Sequence, residues 1–192
     1  NGDSYHGSQR KMKETRTNAS WLAEEGYRIG IPEGVKYEVR DGVCEYAYLA
    51  GNNAPAYDLE REVEYLSRRM LAVFPKSKKN PLIFATYDSI VATSESAKKV
   101  ILLHTQPGPA IDGNTVVAKN DGASLVAQYI SPTELDLEYF GGGDDPDMWG
   151  RVEISPKLGN LRDDVLALMY VKDSGDTDML NIREIKEADV LG

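Results

Sequence analysis

The chain has few of the residues from which thiol, imidazole and membrane sites are built. Among 192 residues there are 1 cysteine and 2 histidines, so no disulfide can form within the chain. No apolar stretch approaches the ~18 residues that a membrane-spanning helix needs. Hydrophobic residues still make up 41% of the sequence, which at this length is enough for a core without disulfides or metal. The sequence therefore excludes a membrane-spanning helix and a chain that is disordered throughout.

The scarcity of cysteine and histidine also limits nucleophilic catalysis. A thiol–imidazole pair would need Cys44 beside His104, because His6 lies in a polar N-terminal segment. A single cysteine in a strand-like stretch is more often a small apolar residue than a nucleophile. We therefore expect no catalytic pair of this kind.

The charge is unevenly distributed along the chain. The formal net charge is −9. Residues 1–80 hold 13 Lys/Arg against 12 Asp/Glu, whereas residues 81–192 hold 9 against 19. An acidic surface repels phosphate backbones and anionic lipids. We therefore expect no nucleic-acid partner.

The N-terminal segment differs in composition from the rest. Residues 1–16 are polar, glycine or charged apart from Tyr5 and Met12, which is typical of a flexible tether. We expect a polar leader over residues 1–16 and a single β-rich globular domain over residues 17–192. A tether on a chain that starts at Asn1 rather than Met also favours an exported bacterial protein, periplasmic or at the cell surface, with a lipid anchor as an option. The alternative is a cytoplasmic protein.

Strand patterns dominate most of the sequence. Residues 35–40 and 43–49 are strand-like and flank Asp41-Gly42, a pair that suits the positive φ values of a type I′ turn. Further strand-like segments recur at a spacing of about ten residues, including residues 134–139 with strict polar–apolar alternation. This spacing predicts an antiparallel sandwich or barrel-like sheet.

One segment departs from the strand pattern. Between Asp58 and Phe74 the apolar residues recur at helical spacing, and Pro75 follows, which predicts an amphipathic helix over residues 58–74. The predicted fold class is therefore α+β, with this helix packed on a mostly antiparallel sheet.

Two acidic turns are candidates for a calcium site. Calcium takes six to eight oxygen ligands, which loops rich in Asp can supply. Turn chemistry alone also accounts for Asp and Gly at these positions, and we favour that interpretation. The six candidate ligands are Asp144, Asp145, Asp147, Asp173, Asp176 and Asp178. Calcium is the one candidate cofactor.

A third group of acids alternates along a predicted strand. Glu134, Asp136 and Glu138 share its outward face, and alternate strand residues lie about 6.6 Å apart, within the range of a carboxylate pair in a hydrolase. Charges on an edge strand also prevent aggregation between sheets, which is the commoner reason for them.

Tyrosine is enriched over phenylalanine, at 11 residues against 3. Tyr46 and Tyr48 alternate along one strand and would share a face, which suits contact with a glycan or a protein. The sequence thus favours an exported binding or accessory protein without catalytic activity, engaging a protein or glycan partner. The alternatives are an envelope hydrolase with clustered carboxylates and a calcium-stabilised adhesion module. The oligomeric state is left open.

Overall fold

The structure is a computed structural model that describes residues 31–54, 63–76, 81–106, 108–141, 150–176 and 178–182. Eleven strands are present in these residues and no α-helix. In chain order the strands are β1 (Ile31–Arg40), β2 (Val43–Asn52), β3 (Val63–Val73), β4 (Ile83–Ala92), β5 (Ile101–Thr105), β6 (Ala110–Asp112), β7 (Thr115–Asn120), β8 (Ala123–Ser131), β9 (Leu135–Phe140), β10 (Gly150–Pro156) and β11 (Arg162–Asp173).

The strands form two sheets of unequal size. The large sheet has eight strands in the order β1-β2-β3-β4-β11-β8-β7-β6, and the small sheet has three in the order β5-β10-β9. Each of these neighbouring pairs is antiparallel. The predicted antiparallel architecture is confirmed. The barrel-like alternative is wrong, because the large sheet stays open, with β1 at one end and β6 at the other.

Local turn chemistry sets the hairpins. Asp41 has φ 53° and Gly42 has φ 77°, so both central residues of the β1–β2 turn take the positive φ of a type I′ turn. The predicted hairpin is therefore confirmed. Asp121 at the β7–β8 turn also has positive φ, at 49°, which Asp tolerates better than most residues.

The predicted helix over residues 58–74 is wrong. Residues 63–73 form strand β3, paired with β2 and β4, while residues 58–62 lie outside the described residues. Apolar side chains lie on both faces of β3, with Leu66 and Met70 on one and Leu71 and Val73 on the other. Their spacing therefore matches a helical period although the chain is extended. Without the helix the fold of the described residues is all-β rather than α+β.

The hydrophobic core lies between the two sheets. We call the side of the large sheet that faces the small sheet its inner face and the opposite side its outer face. Strands β4, β11, β8 and β7 supply the inner-face side of the core, and β5 and β10 supply its other side. The buried members are Ile90, Ile101, Val116, Ala127, Tyr129, Val152, Ile154, Val165 and Ala167.

One buried ion pair lies at this core, and a second pair has a buried carboxylate and a partly exposed arginine. The Nζ atom of Lys99 lies 3.0 Å from Oδ2 of Asp163, and both side chains are less than a tenth exposed. Lys99 also donates to the backbone carbonyl of Asn160. On the inner face Arg68 donates to the buried Asp88 from Nε at 2.6 Å and from Nη2 at 3.0 Å. Burial, with the Asp88 charge nearby, raises the pKa of the neighbouring Tyr129.

Within the described residues, no helix is present that is both long and apolar enough to cross a bilayer. The predicted leader over residues 1–16 lies outside the described residues.

Candidate binding surface

Tyr46 and Tyr48 lie on the outer face of the large sheet. They alternate along β2, so both side chains point the same way, and both are half-buried. Tyr46 is opposite Glu38 on β1 and Val73 on β3. Tyr48 is opposite Lys36 and Leu71 in the same two strands. The two tyrosines therefore form a short aromatic row beside charged residues of β1.

The next two strands extend this row with a stacked cation. Arg69 on β3 is opposite both Ala50 and Tyr87. Its guanidinium carbon lies 5.5 Å from the centroid of the Tyr87 ring, which is within the range of a cation–π contact. We call the surface formed by Tyr46, Tyr48, Arg69 and Tyr87 the tyrosine face.

A bidentate ion pair borders the tyrosine face on β11. Arg162 donates from Nε and Nη2 to the two carboxylate oxygens of Asp164, each at 3.0 Å. Desolvation raises the pKa of Asp164, but hydrogen bonds, led by the one from Arg162, outweigh it and place that pKa below its ordinary value. Tyr87 contributes to the same network. The carboxylate of Asp164 is therefore charged at neutral pH and available to accept hydrogen bonds.

A β-bulge places a second carboxylate at the other border. The register between β1 and β2 shifts between Pro32 and Gly34, so Glu33 is the extra residue of the bulge. Its two oxygens accept hydrogen bonds from Tyr65 Oη at 2.8 Å and from Ser67 Oγ at 2.7 Å, across β2. These bonds, that from Ser67 foremost, lower the pKa of Glu33 below its ordinary value. The bulge thus fixes the direction of a carboxylate at this border.

The calcium candidates are only partly described. Asp144, Asp145 and Asp147 lie outside the described residues. Asp173 ends β11, and Asp176 and Asp178 follow it in a turn. There Oδ1 of Asp176 accepts a hydrogen bond from the Asp178 backbone N–H at 2.8 Å, which is the turn chemistry expected of Asp. The part of the chain that the structure describes holds no group of three or more acidic, His or Cys side chains placed to bind a metal ion. The calcium site stays a prediction.

The hydrolase candidates lie on the exposed face of the small sheet. Glu134, Asp136 and Glu138 are all exposed. Glu138 is opposite Glu153 on β10, a buried residue that sequence reasoning missed. Arg151 Nη2 binds Glu153 at 2.8 Å, so this carboxylate already has a partner. Glu134, Asp136 and Glu138 therefore lie at the surface, whereas Glu153 is 5% exposed and paired.

The thiol–imidazole pair is not formed. Cys44 lies on β2 of the large sheet, where its Sγ atom contacts the carbonyl of Tyr46 at 3.3 Å. His104 lies on β5 of the small sheet, exposed and opposite Arg151. The two residues therefore lie in different sheets.

Sequence reasoning identified the two tyrosines of the tyrosine face and missed its other members. Arg69 lies within the segment predicted as a helix, and Tyr87 meets it because β3 and β4 are neighbours. Asp164 borders the face because β11 pairs with β4. That second neighbour relation spans more than 70 residues and leaves no local signal. The turn pattern of β1 and β2 was the one local indication of how this end of the sheet is built.

No protein-family model and no curated protein matches the chain. Among solved structures it is similar to heparinase III described as the BT4657 gene product, at 15% identity and TM-score 0.45, over 72% of this chain and 21% of that one. A form of that protein with methylated lysines is 14% identical, with a TM-score of 0.42, over 74% of this chain and 22% of that one. Another heparinase III structure is 12% identical, with a TM-score of 0.40, over 73% of this chain and 21% of that one. The chain thus spans about a fifth of each of these proteins, and likenesses at this level do not bear on its function.

Proposed function

We propose that this protein is a non-catalytic binding or accessory module whose tyrosine face engages a glycan or protein partner, a glycan being the class that we favour. The observation that carries the proposal is the arrangement of Tyr46, Tyr48 and the stacked Arg69–Tyr87 pair on one half-exposed sheet face. Tyrosine and arginine are the residues that supply most binding energy at recognition surfaces.

The chemistry of the face favours a polyhydroxylated ligand. Tyrosine rings offer flat apolar surfaces with a polar tip, against which a sugar ring can lie. The Arg162–Asp164 pair and Glu33 border the rings with a guanidinium that donates and carboxylates that accept hydrogen bonds. A ligand that presents both a flat apolar side and many hydroxyl groups satisfies both kinds of contact.

The test is glycan binding by the purified chain and by the double variant Tyr46→Ala/Tyr48→Ala. A glycan array identifies a ligand, and titration calorimetry then measures its affinity. We expect the double variant to bind about thirtyfold more weakly, since two aromatic contacts together are worth about 2 kcal/mol. Its melting temperature should stay close to that of the wild type, because both side chains are half-exposed.

The matched control is Phe140→Ala. Phe140 lies in β9 of the small sheet and is 37% exposed, so its loss should leave affinity unchanged. An equal loss with Phe140→Ala would contradict the assignment to the tyrosine face. Failure of the wild type to bind any glycan would leave a protein as the remaining partner class of the proposal.

We also propose that the protein is exported, as the polar N-terminal segment favours. Cell fractionation with intact mass spectrometry of the protein from its own host tests this directly. A cleaved signal or a lipid-modified cysteine before Asn1 is the expected result. An unprocessed chain in the cytoplasmic fraction would contradict it.

A further inference from the structure

Strand β1 is the first strand of the large sheet and a long one. Among the described strands it pairs only with β2, so no described strand covers its other edge. Pro32 and the bulge at Glu33 interrupt this edge near its start, and residues 34–40 follow the bulge. Its side chains Val35, Tyr37 and Val39 are 64%, 70% and 53% exposed. Edge strands in soluble proteins are usually short, covered or interrupted, because an open edge pairs with other strands. The β1 edge is therefore suited to pairing with another chain.

The residues of β1 indicate that the strand best suited to pair with this edge is β1 of a second copy of the chain. In an antiparallel pair related by a two-fold axis, one residue faces its own copy and its neighbours pair symmetrically about it. When Tyr37 is the central residue, Lys36 is opposite Glu38 of the second copy on one face. The same register places Val35 opposite Val39 on the other face. Both contacts occur twice.

The neighbouring registers lack this complementarity. Centring the axis on Lys36 places two lysines opposite each other, and centring it on Glu38 places two glutamates opposite each other. Like charges directly opposite destabilise a strand pair, whereas opposite charges stabilise it. Placing the two-fold axis between two adjacent residues would bring side chains from opposite faces of the strand opposite each other. Of these registers, the one centred on Tyr37 satisfies both charge and face.

The charge of β1 also allows contact at this end. The strand holds two cations, Lys36 and Arg40, and two anions, Glu33 and Glu38, so two copies of it meet with little net repulsion. The described strands beyond residue 80 supply the other end of the large sheet. Arg40 already binds Glu38 at 2.8 Å, and the Glu38 side chain is still 44% exposed.

We propose that two copies of this chain dimerise through antiparallel pairing of β1 with β1, centred on Tyr37, so that the two large sheets become one continuous sheet. The two-fold axis is then normal to the sheet, and the outer faces of both copies lie on the same side. The β2 strands of the two copies lie three strand spacings apart, about 14 Å. If the proposed function holds, the two tyrosine faces form one bivalent surface.

The first test measures mass by light scattering after size-exclusion chromatography, over a wide range of concentration. The wild type should dimerise. Lys36→Glu and Glu38→Lys each create two like-charge contacts and should raise the dissociation constant about tenfold. The double variant K36E/E38K restores opposite charges and should dimerise like the wild type. A wild type that stays monomeric, or a dimer indifferent to these changes, would overturn the proposal.

The second test reports the register itself. In a Cys44→Ser background, Tyr37→Cys should form a disulfide-linked dimer under mild oxidation, because residue 37 faces its own copy within disulfide reach. The matched controls Val35→Cys and Val39→Cys should each stay uncrosslinked alone and crosslink when mixed. Crosslinking of Val35→Cys with itself, or none for Tyr37→Cys, would overturn the register. Neither test measures glycan binding, so the dimer and the proposed function fail independently.

Discussion

The two ends of the large sheet have similar apolar patterns but different surroundings. Under the small sheet, Val116, Ala127 and Val165 are at most 1% exposed. On the same inner face near β1, Val35 and Leu49 are 64% and 46% exposed. Strand register places Val35 and Leu49 in one row on this face: Val35 is opposite Leu49, and Leu49 is opposite Met70. Alternation therefore specifies which face of a strand is apolar, and the second sheet determines which part of that face becomes core.

The difference separates stability from recognition. The covered half holds the buried core and the buried Lys99–Asp163 pair, whereas the uncovered half holds the open edge and the two tyrosines. Substitutions in the first should change the free energy of unfolding, and substitutions in the second should change association and binding.

The largest expected effect concerns the buried pair of Lys99 and Asp163. Lys99→Met leaves the carboxylate of Asp163 buried without its cation, which should lower the free energy of unfolding by about 3–5 kcal/mol. Urea denaturation measures this change. In the uncovered half Arg40→Met removes the exposed pair with Glu38 and should leave the free energy of unfolding almost unchanged, because solvent screens exposed pairs.

A double variant separates the pair from its surroundings. Lys99→Met/Asp163→Leu removes both charges and should recover much of the lost stability, since apolar replacement of a buried pair is often neutral. A double variant as unstable as Lys99→Met alone would show that packing, not the unpaired charge, causes the loss.

A pair of isoleucines compares the two halves directly. Ile154 on β10 is fully buried in the core, whereas Ile31 on β1 is 56% exposed. Ile154→Ala should cost about 2–5 kcal/mol because it leaves a cavity, and Ile31→Ala should cost about 0.5 kcal/mol. Chemical denaturation of both variants under one condition is the measurement. Equal losses would contradict the division into a covered and an uncovered half.

The smallest expected effect is the pH dependence of Glu33 in the uncovered half. Its pKa is lowered from 4.5 by hydrogen bonds from Ser67 and Tyr65. Because the pKa of Glu33 is lower in the folded than in the unfolded chain, its ionisation stabilises the fold at pH values above the unfolded-state pKa of 4.5. This stabilisation is lost as the pH falls through the pKa of the folded state. Ser67→Ala should raise the pKa of Glu33 toward 4.5, as measured by NMR titration of its carboxyl carbon. An unchanged pKa in this variant would show that Ser67 is not the main cause.

The sequence predicted the local features and failed on the long-range ones. Asp41-Gly42 predicted the first hairpin, because φ values at a two-residue turn depend on those residues alone. The strand β3 was mistaken for a helix because it carries apolar residues on both faces, and a bulge between Val63 and Tyr65 shifts its alternation. The tyrosine face was identified only in part, because Arg69 falls in the segment predicted as a helix and its contact with Tyr87 depends on the pairing of β3 with β4.

The position of β11 between β4 and β8 has a consequence for biosynthesis. Strands β1 to β4 are consecutive neighbours, as are β6 to β8, so each group can pair soon after it leaves the ribosome. The strand that joins them, β11, is the last of the described strands, and it ends at Asp173. Until β11 is synthesised, one edge of each group stays unpaired and is a site for pairing with another nascent chain. The joined sheet can therefore form only after β11 has left the ribosome, and the exposed edges of the two groups persist until then.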